Sequence, residues 1–279
     1  MRIVFLGTPD DAVPPLRALV DAGHDVALVV TQPDRRRGRG GKPIPSPVKV
    51  AATELGLPVL TPVKAREVVD EVAASGAEAG VVVAFGQILP PALLETLPLG
   101  FVNVHFSLLP RWRGAAPVER AILAGDAQTG VCVMALEAGL DTGPVYARVA
   151  MPIAPTATAG EVTGALVDAG TDLLLATLPD LGDRVPEPQE GEPTYADKLS
   201  PEEFALDPTR PAEELARVVR AGNPRPGAWT TVGGIRVKVW RAEVRDGELV
   251  PLEVQPEGKP RMAADAWARG LREPPAWGT

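Results

Sequence analysis

Short, uninterrupted apolar runs alternate with segments of helical periodicity over the first half of the chain. The clearest of these runs are Arg2–Gly7, Val26–Thr31, Gly80–Ala84 and Phe101–Phe106. A run of this length without polar alternation is typical of a strand that is buried on both faces of a parallel sheet. The alternation with helices predicts a doubly wound, Rossmann-like α/β fold, in which ligands bind beyond the carboxyl ends of the strands.

The last third of the chain follows a different pattern. Three segments alternate between apolar and polar residues, and they are Trp229–Val232, Ile235–Val244 and Glu248–Val254. Gly233-Gly234 and Asp246-Gly247 between them favour tight hairpin turns, so we expect a small β-barrel-like domain. A stretch rich in Pro, Glu and Asp with little periodicity precedes it and is typical of a linker. The predicted organisation is an α/β domain over residues 1–180, a linker over 181–203 and a C-terminal domain over 204–279.

Composition narrows the class of protein further. With 279 residues, 45% of them hydrophobic, the chain is long enough for a sizeable core. The single cysteine, Cys132, excludes an intramolecular disulfide, and its apolar surroundings favour a small core residue. Because there are only two histidines, we expect no Cys/His zinc site and no other metal. We also expect a cytoplasmic protein without a membrane partner, since no signal peptide or membrane-length apolar run is recognisable.

The charge is unevenly distributed along the chain. The net charge of −8 argues against broad, non-specific binding of nucleic acid. Residues 31–50 nevertheless carry six Lys or Arg against one Asp, and residues 215–245 carry seven against one Glu. Two such basic islands allow an acidic protein to bind one RNA in one orientation. The turn after the first strand is Gly-Thr-Pro-Asp, which excludes the glycine motifs of dinucleotide-binding and P-loop proteins.

The candidate chemistry lies in residues 101–144. Asn103 and His105 are two residues apart in an apolar run, so in a strand both side chains lie on one face. A loop over residues 107–114 follows, and Asp141 lies in a Gly-flanked turn between two further predicted strands. Each feature alone has an ordinary explanation, because a lone histidine in an apolar strand is usually a core residue and an aspartate beside glycines usually forms a turn. A polar pair on an apolar strand is nevertheless costly unless it is hydrogen-bonded or used.

The order and spacing of these motifs resemble the formyltransferases that use 10-formyltetrahydrofolate. The resemblance rests on Asn-x-His at 103–105, Ser-Leu-Leu-Pro at 107–110, Arg-Gly-Ala at 113–115 and Gly-Leu-Asp-Thr-Gly at 139–143. Within this superfamily the chain is most similar to the branch that acts on methionyl-tRNA, and the similarity covers residues 1 to about 245. It implies a C-terminal barrel of the OB type, shortened here. Asp11 stands where many relatives have an aromatic residue.

The resemblance also implies a role for individual residues. The catalytic trio is Asn103, His105 and Asp141. The residues expected to contact the folate are Ser107, Leu108, Leu109 and Pro110, with Gln87, Ile88 and Leu89 near the pterin. The residues expected to contact tRNA are Arg35, Arg36, Arg37, Arg39 and Lys42 in an arginine-rich insertion, and Arg111 and Arg113 near the acceptor end. By charge alone, a solvated surface loop explains that insertion equally well.

The predicted activity is direct transfer of the formyl group of 10-formyltetrahydrofolate to the amino group of initiator methionyl-tRNA. We expect a monomer that uses no metal and releases tetrahydrofolate. One alternative is a formyltransferase acting on an amino sugar or another small amine, and a second is a formyltetrahydrofolate hydrolase. These relatives should share residues 103–143 but lack the insertion over residues 35–42. A third alternative, from another class, is an RNA-binding module with an inactive site.

Overall fold

The structure is a computed structural model that describes residues 1–36 and 41–271. Arg37 and Arg39 therefore lie outside the described residues. The chain divides into two compact units that are each discontinuous in sequence. The first comprises Met1–Ala115, Gly130–Met151 and Gly164–Tyr195, and the second comprises Ala116–Thr129, Pro152–Thr163 and the chain from Ala196 onward. The boundaries at residues 180 and 204 remain a prediction.

The described residues form two larger sheets, and several two-residue strands lie in the loops. In chain order they are β1 (Arg2–Gly7), β2 (Asp25–Val30), β3 (Arg35–Arg36), β4 (Pro43–Ile44), β5 (Val59–Leu60), β6 (Ala79–Val83), β7 (Phe101–His105), β8 (Arg113–Gly114), β9 (Gln128–Ala135), β10 (Val145–Pro152), β11 (Tyr195–Ala196), β12 (Ala228–Val232), β13 (Ile235–Arg245), β14 (Glu248–Pro256) and β15 (Met262–Ala263). The α-helices are α1 (Val13–Asp21), α2 (Pro47–Glu54), α3 (Val69–Ala74), α4 (Pro91–Leu94), α5 (Pro117–Ala124), α6 (Ala159–Thr177), α7 (Ala212–Ala221) and α8 (Ala264–Ala268).

A seven-stranded sheet with the order β10-β9-β7-β6-β1-β2-β5 organises the first unit. The pairs β1–β2, β1–β6, β2–β5 and β6–β7 are parallel, which confirms the predicted α/β fold. β9 runs antiparallel to β7, so the sheet is mixed on this side. All five residues of β6 are buried, as continuous apolar runs predict for central parallel strands. Because β6 and β7 are parallel neighbours, the loops that follow them leave the sheet at the same edge.

Thr8 and Asp10 precede α1 and are of residue types that often cap a helix, but neither side chain caps α1. A 3-10 turn over Asp10–Ala12 comes first, and Ala12 occupies the cap position without a side-chain hydrogen bond. Thr8 instead donates its hydroxyl proton to the Phe85 carbonyl at 2.9 Å. The hydroxyl thereby connects the ends of β1 and β6 and does not serve the helix.

The second unit contains an antiparallel sheet in the order β12-β13-β14-β15. The predicted hairpin turns are present, since Gly233, Gly234, Asp246 and Gly247 all have positive φ. β12, β13 and β14 match the three alternating segments, and α7 contacts β13 and β14. Over the part of the chain that the structure describes, no helix combines the length and apolar character that a membrane crossing requires.

Candidate active site

The face of β7 that carries Asn103 and His105 forms the centre of the site. Asn103 is opposite Val82 of β6 and Met134 of β9, and His105 is opposite Cys132 of β9. His105 is buried, with 6% of its surface exposed, whereas Asn103 is half-buried. Within residues 1–36 and 41–271, the side-chain amide of Asn103 has no hydrogen-bond partner. An amide that faces a partly open site without a protein partner is available to a ligand.

The imidazole of His105 is held at both nitrogens. Nε2 lies 2.9 Å from the main-chain carbonyl oxygen of Trp112. A carbonyl oxygen only accepts hydrogen bonds, so this contact assigns a proton to Nε2. Nδ1 lies 3.7 Å from Oδ2 of Asp141, and both side chains are almost fully buried. The structure therefore brings together the histidine and the aspartate that the sequence places 36 positions apart.

Asp141 reaches His105 because the turn between β9 and β10 folds back along β7. The Leu136 amide donates to the Phe101 carbonyl at the start of β7, whereas Asp141 contacts His105 at its end. Asp141 has φ of +50°, a left-handed conformation that aspartate tolerates better than most residues. Its Oδ2 accepts a hydrogen bond of 2.8 Å from the Gly114 amide. The carboxylate is thus fixed from the loop that follows β7 as well as by its own turn.

At Gly143 the backbone of the turn lies directly against the backbone of Ala135 in β9. A Cβ at this position would lie 1.9 Å from the carbonyl oxygen of Ala135, which is far inside contact distance. The Ala135 amide in turn donates to the Pro144 carbonyl at 2.9 Å. Only glycine allows the two ends of the turn to meet in this way.

The conformation of the loop over residues 107–110 is fixed by contacts within the loop itself. Ser107 is fully buried, and its hydroxyl donates to the Arg111 carbonyl at 2.6 Å. Leu109 is also buried, and it precedes a cis proline, Pro110. Leu108 and Pro110 are half-buried and retain exposed surface. The hydroxyl of Ser107 is therefore occupied by the loop, and of these four predicted folate contacts Leu108 and Pro110 offer the most surface.

The other predicted folate segment follows β6. Gln87 accepts a hydrogen bond from the Ala65 amide at 2.7 Å and donates to the Pro62 carbonyl at 3.4 Å. Leu89 is buried in the core, whereas Ile88 is 80% exposed. The side-chain amide of Gln87 is thus directed to the backbone near β5, and Ile88 is the residue of this group that offers apolar surface to a ligand.

The described part of the arginine-rich insertion forms a two-residue ribbon. Arg35 and Arg36 pair with β4 in antiparallel register, and both side chains are exposed. The Arg35 guanidinium donates to the side-chain oxygen of Gln32, a buried residue just beyond the carboxyl end of β2. Lys42 is exposed at the other end of the insertion. Because β2 is parallel to β1 and β1 to β6, the insertion that carries Arg35 and Arg36 leaves the sheet at the same edge as the loops after β6 and β7.

Arg111 and Arg113 have different environments. The guanidinium of Arg111 lies 4.4 Å from the ring centroid of Trp112 and is exposed. Arg113 is half-buried, and its Nε and Nη2 donate to Oε1 of Gln189 at 3.0 and 2.6 Å. Arg111 is therefore exposed beside an aromatic ring, whereas two donors of Arg113 are used within the protein.

Two residues of this site were missed by the sequence analysis. Gln189 donates from Nε2 to the carbonyl oxygens of Asp141 and Gly143, both at 2.8 Å. Thr194 accepts a hydrogen bond at Oγ1 from the Trp112 amide at 2.9 Å. Both lie in the segment that composition identifies as a linker, where no periodicity or motif signals a role. That segment is largely irregular, yet its backbone is hydrogen-bonded to Pro110, Arg113 and Val145.

Two further observations concern the Cys132 thiol and the arrangement of residues that could bind a metal ion. Burial raises the pKa of the Cys132 thiol, so it stays protonated at neutral pH, and the side chain is fully buried beside His105. This agrees with its interpretation as a small core residue. Among the residues that the structure describes, no group of three or more His, Cys, Asp or Glu side chains is arranged to hold a metal ion.

The fold and the matching families define a formyl transferase. The Formyl transferase family matches residues 1–178, and the C-terminal domain of formyl transferases matches residues 198–249. The methionyl-tRNA formyltransferase of Symbiobacterium thermophilum is 47% identical over 302 aligned residues, which cover 97% of this chain and 92% of that protein. The chain belongs to the methionyl-tRNA formyltransferase family.

Solved structures share the fold at low sequence identity. The methionyl-tRNA formyltransferase from Clostridium thermocellum superposes with a TM-score of 0.64 at 18% identity and covers 92% of this chain and 98% of its own. An N-formyltransferase from Helicobacter canadensis, in complex with folinic acid and dTDP-3-aminofucose, gives a TM-score of 0.67 at 16% identity over 88% of each chain. At these identities the comparison supports the architecture and does not distinguish between acceptors.

Proposed function

We propose that this protein transfers the formyl group of 10-formyltetrahydrofolate to the amino group of the methionyl moiety of initiator methionyl-tRNA. The product is N-formylmethionyl-tRNA, which is used for translation initiation. The observation that carries the proposal is the buried contact between His105 and Asp141 beside the amide of Asn103, which has no hydrogen-bond partner among the described residues. Curated relatives that align over nearly the whole chain are methionyl-tRNA formyltransferases, which supports this acceptor.

Asn103 and His105 stabilise the negative charge that develops on the formyl oxygen. Attack by the amine converts the planar formyl carbon into a tetrahedral centre and places charge on its oxygen. The Asn103 amide supplies a donor, and the positive charge that develops on the imidazole of His105, on the same strand face, attracts the oxyanion electrostatically. A donor of this kind is commonly worth about 3–4 kcal/mol in the transition state.

His105 and Asp141 also handle the proton of the attacking amine. An α-amino group titrates near about 7.7, so a useful fraction of the acceptor is neutral at pH 7 and needs no strong base. When the new C–N bond forms, the amine nitrogen loses a proton, and the bond from the formyl carbon to N10 of the folate breaks as N10 gains one. The proton passes through His105, and the Asp141 carboxylate stabilises the imidazolium while it carries that charge.

Direct transfer agrees with the environment of Ser107 and Cys132, the candidate nucleophiles beside His105. Ser107 is fully buried and donates its proton to a main-chain carbonyl. Cys132 is fully buried, and its raised pKa keeps it a thiol. Neither group presents an activated oxygen or sulfur atom, so we infer that no acyl-enzyme forms.

The charged surfaces favour an RNA acceptor over a small amine. In the first unit, Arg35 and Arg36 are exposed in the insertion that relatives with small acceptors are expected to lack. In the second unit, the Arg236 guanidinium lies 3.8 Å from the ring centroid of Trp229, and that of Arg261 lies 3.6 Å from the ring centroid of Trp240. Arginines supported by aromatic rings suit phosphate and base contacts.

An acceptor comparison tests the proposal. The full chain is incubated with 10-formyltetrahydrofolate and, in parallel, with charged initiator methionyl-tRNA, with a nucleotide-linked amino sugar and with no acceptor. We expect formylmethionine in the first reaction and no comparable turnover in the others. Turnover with only the sugar would indicate a sugar formyltransferase, and equal folate release without an acceptor would indicate a hydrolase. His105→Ala is the control, and it should lose formylation while tRNA affinity is nearly unchanged.

A further inference from the structure

Gln189 connects the two loops that carry the proposed catalytic groups. Its Nε2 donates to the carbonyl oxygens of Asp141 and Gly143, both at 2.8 Å. Its Oε1 accepts from Nε and Nη2 of Arg113 at 3.0 and 2.6 Å. A primary amide has two N–H donors and two acceptor lone pairs, so all four are used here. One half-buried side chain thereby joins the turn after β9 to the loop after β7.

The segment that carries Gln189 is itself fixed on both sides. On one side, Glu187 and Val145 exchange two main-chain hydrogen bonds at 2.7 and 2.9 Å. On the other side, Thr194 accepts from the Arg113 amide at 2.9 Å and donates to the Pro110 carbonyl at 3.2 Å. Gln189 lies between these anchors, so its position is set by the backbone and its contacts do not depend on a flexible tether.

We propose that Gln189 is a positioning residue that sets the distance between the Asp141 carboxylate and His105. The Asp141 turn needs such support because the positive φ of Asp141 is a sparsely populated conformation for a residue other than glycine. The carboxylate is 3.7 Å from Nδ1 and is also fixed by the Gly114 amide, next to Arg113. Gln189 binds the main chain of the turn that carries Asp141, and it also binds Arg113, the neighbour of Gly114. Its loss therefore removes support from both the carboxylate and the amide that holds it.

This role also changes the expected role of Arg113. The resemblance implies a contact between Arg113 and the acceptor end of the tRNA, whereas its guanidinium is directed at Gln189. If Arg113 acts through Gln189, the two residues form one unit, and replacing both should cost no more than replacing one. If Arg113 binds RNA, its effect should appear in KM for the tRNA and add to that of Gln189.

Gln189→Glu is the sharpest variant because it preserves shape while it replaces the two donors by an acceptor and adds a negative charge, and Gln189→Met removes the donors without adding that charge. A carboxylate can still accept from Arg113, but it faces the carbonyls of Asp141 and Gly143 with lone pairs. Glu190→Ala is the matched control, since Glu190 is the exposed neighbour in the same irregular segment. Gln189→Met keeps the chain length without polar atoms and serves if the Glu variant does not fold.

The first measurement does not depend on activity. The chain has two histidines, so the imidazole NMR signals of His105 can be assigned by comparison with a His24→Gln variant. We expect Gln189→Glu to shift the His105 signals while Glu190→Ala leaves them at the wild-type positions. Superimposable His105 signals in the wild type and in both Gln189 variants would overturn the proposal.

The second measurement rests on the proposed function and separates positioning from binding. Misplacement of a catalytic group by about 1 Å can cost about 100-fold, so we expect kcat to fall about 10- to 100-fold in Gln189→Glu. KM for methionyl-tRNA should change little, and Gln189→Met combined with Arg113→Met should match the more impaired single variant. Wild-type kcat in Gln189→Glu would overturn the proposal. If the wild type formylates no acceptor, the proposed function fails, and the NMR comparison still decides the role of Gln189.

Discussion

Replacing Asp141 by asparagine isolates the charge of the carboxylate from its shape. Asparagine keeps an oxygen that can accept the hydrogen bond from the Gly114 amide, and it tolerates the positive φ of this position at least as well. What the variant loses is the negative charge 3.7 Å from Nδ1 of His105. The fold of the turn should therefore be retained while the imidazolium loses its counter-charge.

The size of the effect follows from the distance. Two unit charges about 4 Å apart attract each other by about 4 kcal/mol at an effective dielectric constant of about 20. The side chains of the pair are 6% and 12% exposed, so little of this attraction is screened by solvent. At about 1.4 kcal/mol per factor of ten, the upper limit is a loss of about 1,000-fold in kcat. Because the charge on His105 develops during the reaction, KM should change much less than kcat.

Steady-state formylation with saturating methionyl-tRNA measures kcat, and thermal unfolding confirms that Asp141→Asn is folded. Asp25→Asn is the control, because it removes a carboxylate whose exposed ion pair with Arg2 lies at the opposite, amino-terminal edge of the sheet. We expect that control to keep the wild-type kcat. A kcat within about threefold of the wild type in Asp141→Asn would refute the proposed role of the His105–Asp141 pair, since it corresponds to less than about 0.7 kcal/mol.

Three further outcomes are expected. Asn103→Ala should lower kcat about 100- to 1,000-fold, yet change the free energy of unfolding by less than about 0.5 kcal/mol in chemical denaturation, because no internal hydrogen bond of a described residue is lost. Gly143→Ala should destabilise the protein by about 1–3 kcal/mol, since its Cβ would collide with the Ala135 carbonyl, and an unchanged melting temperature would contradict the closed turn. Replacing Arg35 and Arg36 by glutamine should raise KM for tRNA and flatten its salt dependence, whereas the matching lysine variant should keep most of that dependence. Identical salt profiles for the glutamine variant and the wild type would exclude a docking role for this pair.

The sequence was most informative where a simple period governs structure. Continuous apolar runs predicted the parallel strands because both faces of β1 and β6 are covered. The two-residue spacing of Asn103 and His105 placed both on one face of β7 because side chains alternate along a strand. Paired residues that favour positive φ marked the hairpins of the C-terminal sheet for an equally local reason.

The contacts that complete the site depend on non-local geometry and could not be predicted in the same way. Asp141 meets His105 because β9 runs antiparallel to β7 and the following turn returns along the sheet. Gln189 and Thr194 lie in a segment without periodicity, so nothing local distinguishes them from linker residues. Gln87 and Ser107 were expected to contact the folate, yet their polar atoms are used by nearby backbone groups. Such competition between a ligand and the main chain becomes visible only with coordinates.

The hydrogen bond from the Gly114 amide to Asp141 has a practical consequence. Its acceptor is a side chain 27 positions away, so this hydrogen bond is not part of a β-sheet. The amide hydrogen is consequently shielded from solvent only while the Asp141 turn is closed over β7. Deuterium uptake at this single glycine thus reports how often the Asp141 carboxylate, the proposed partner of His105, moves away from the Gly114 amide, and it does so without any substrate.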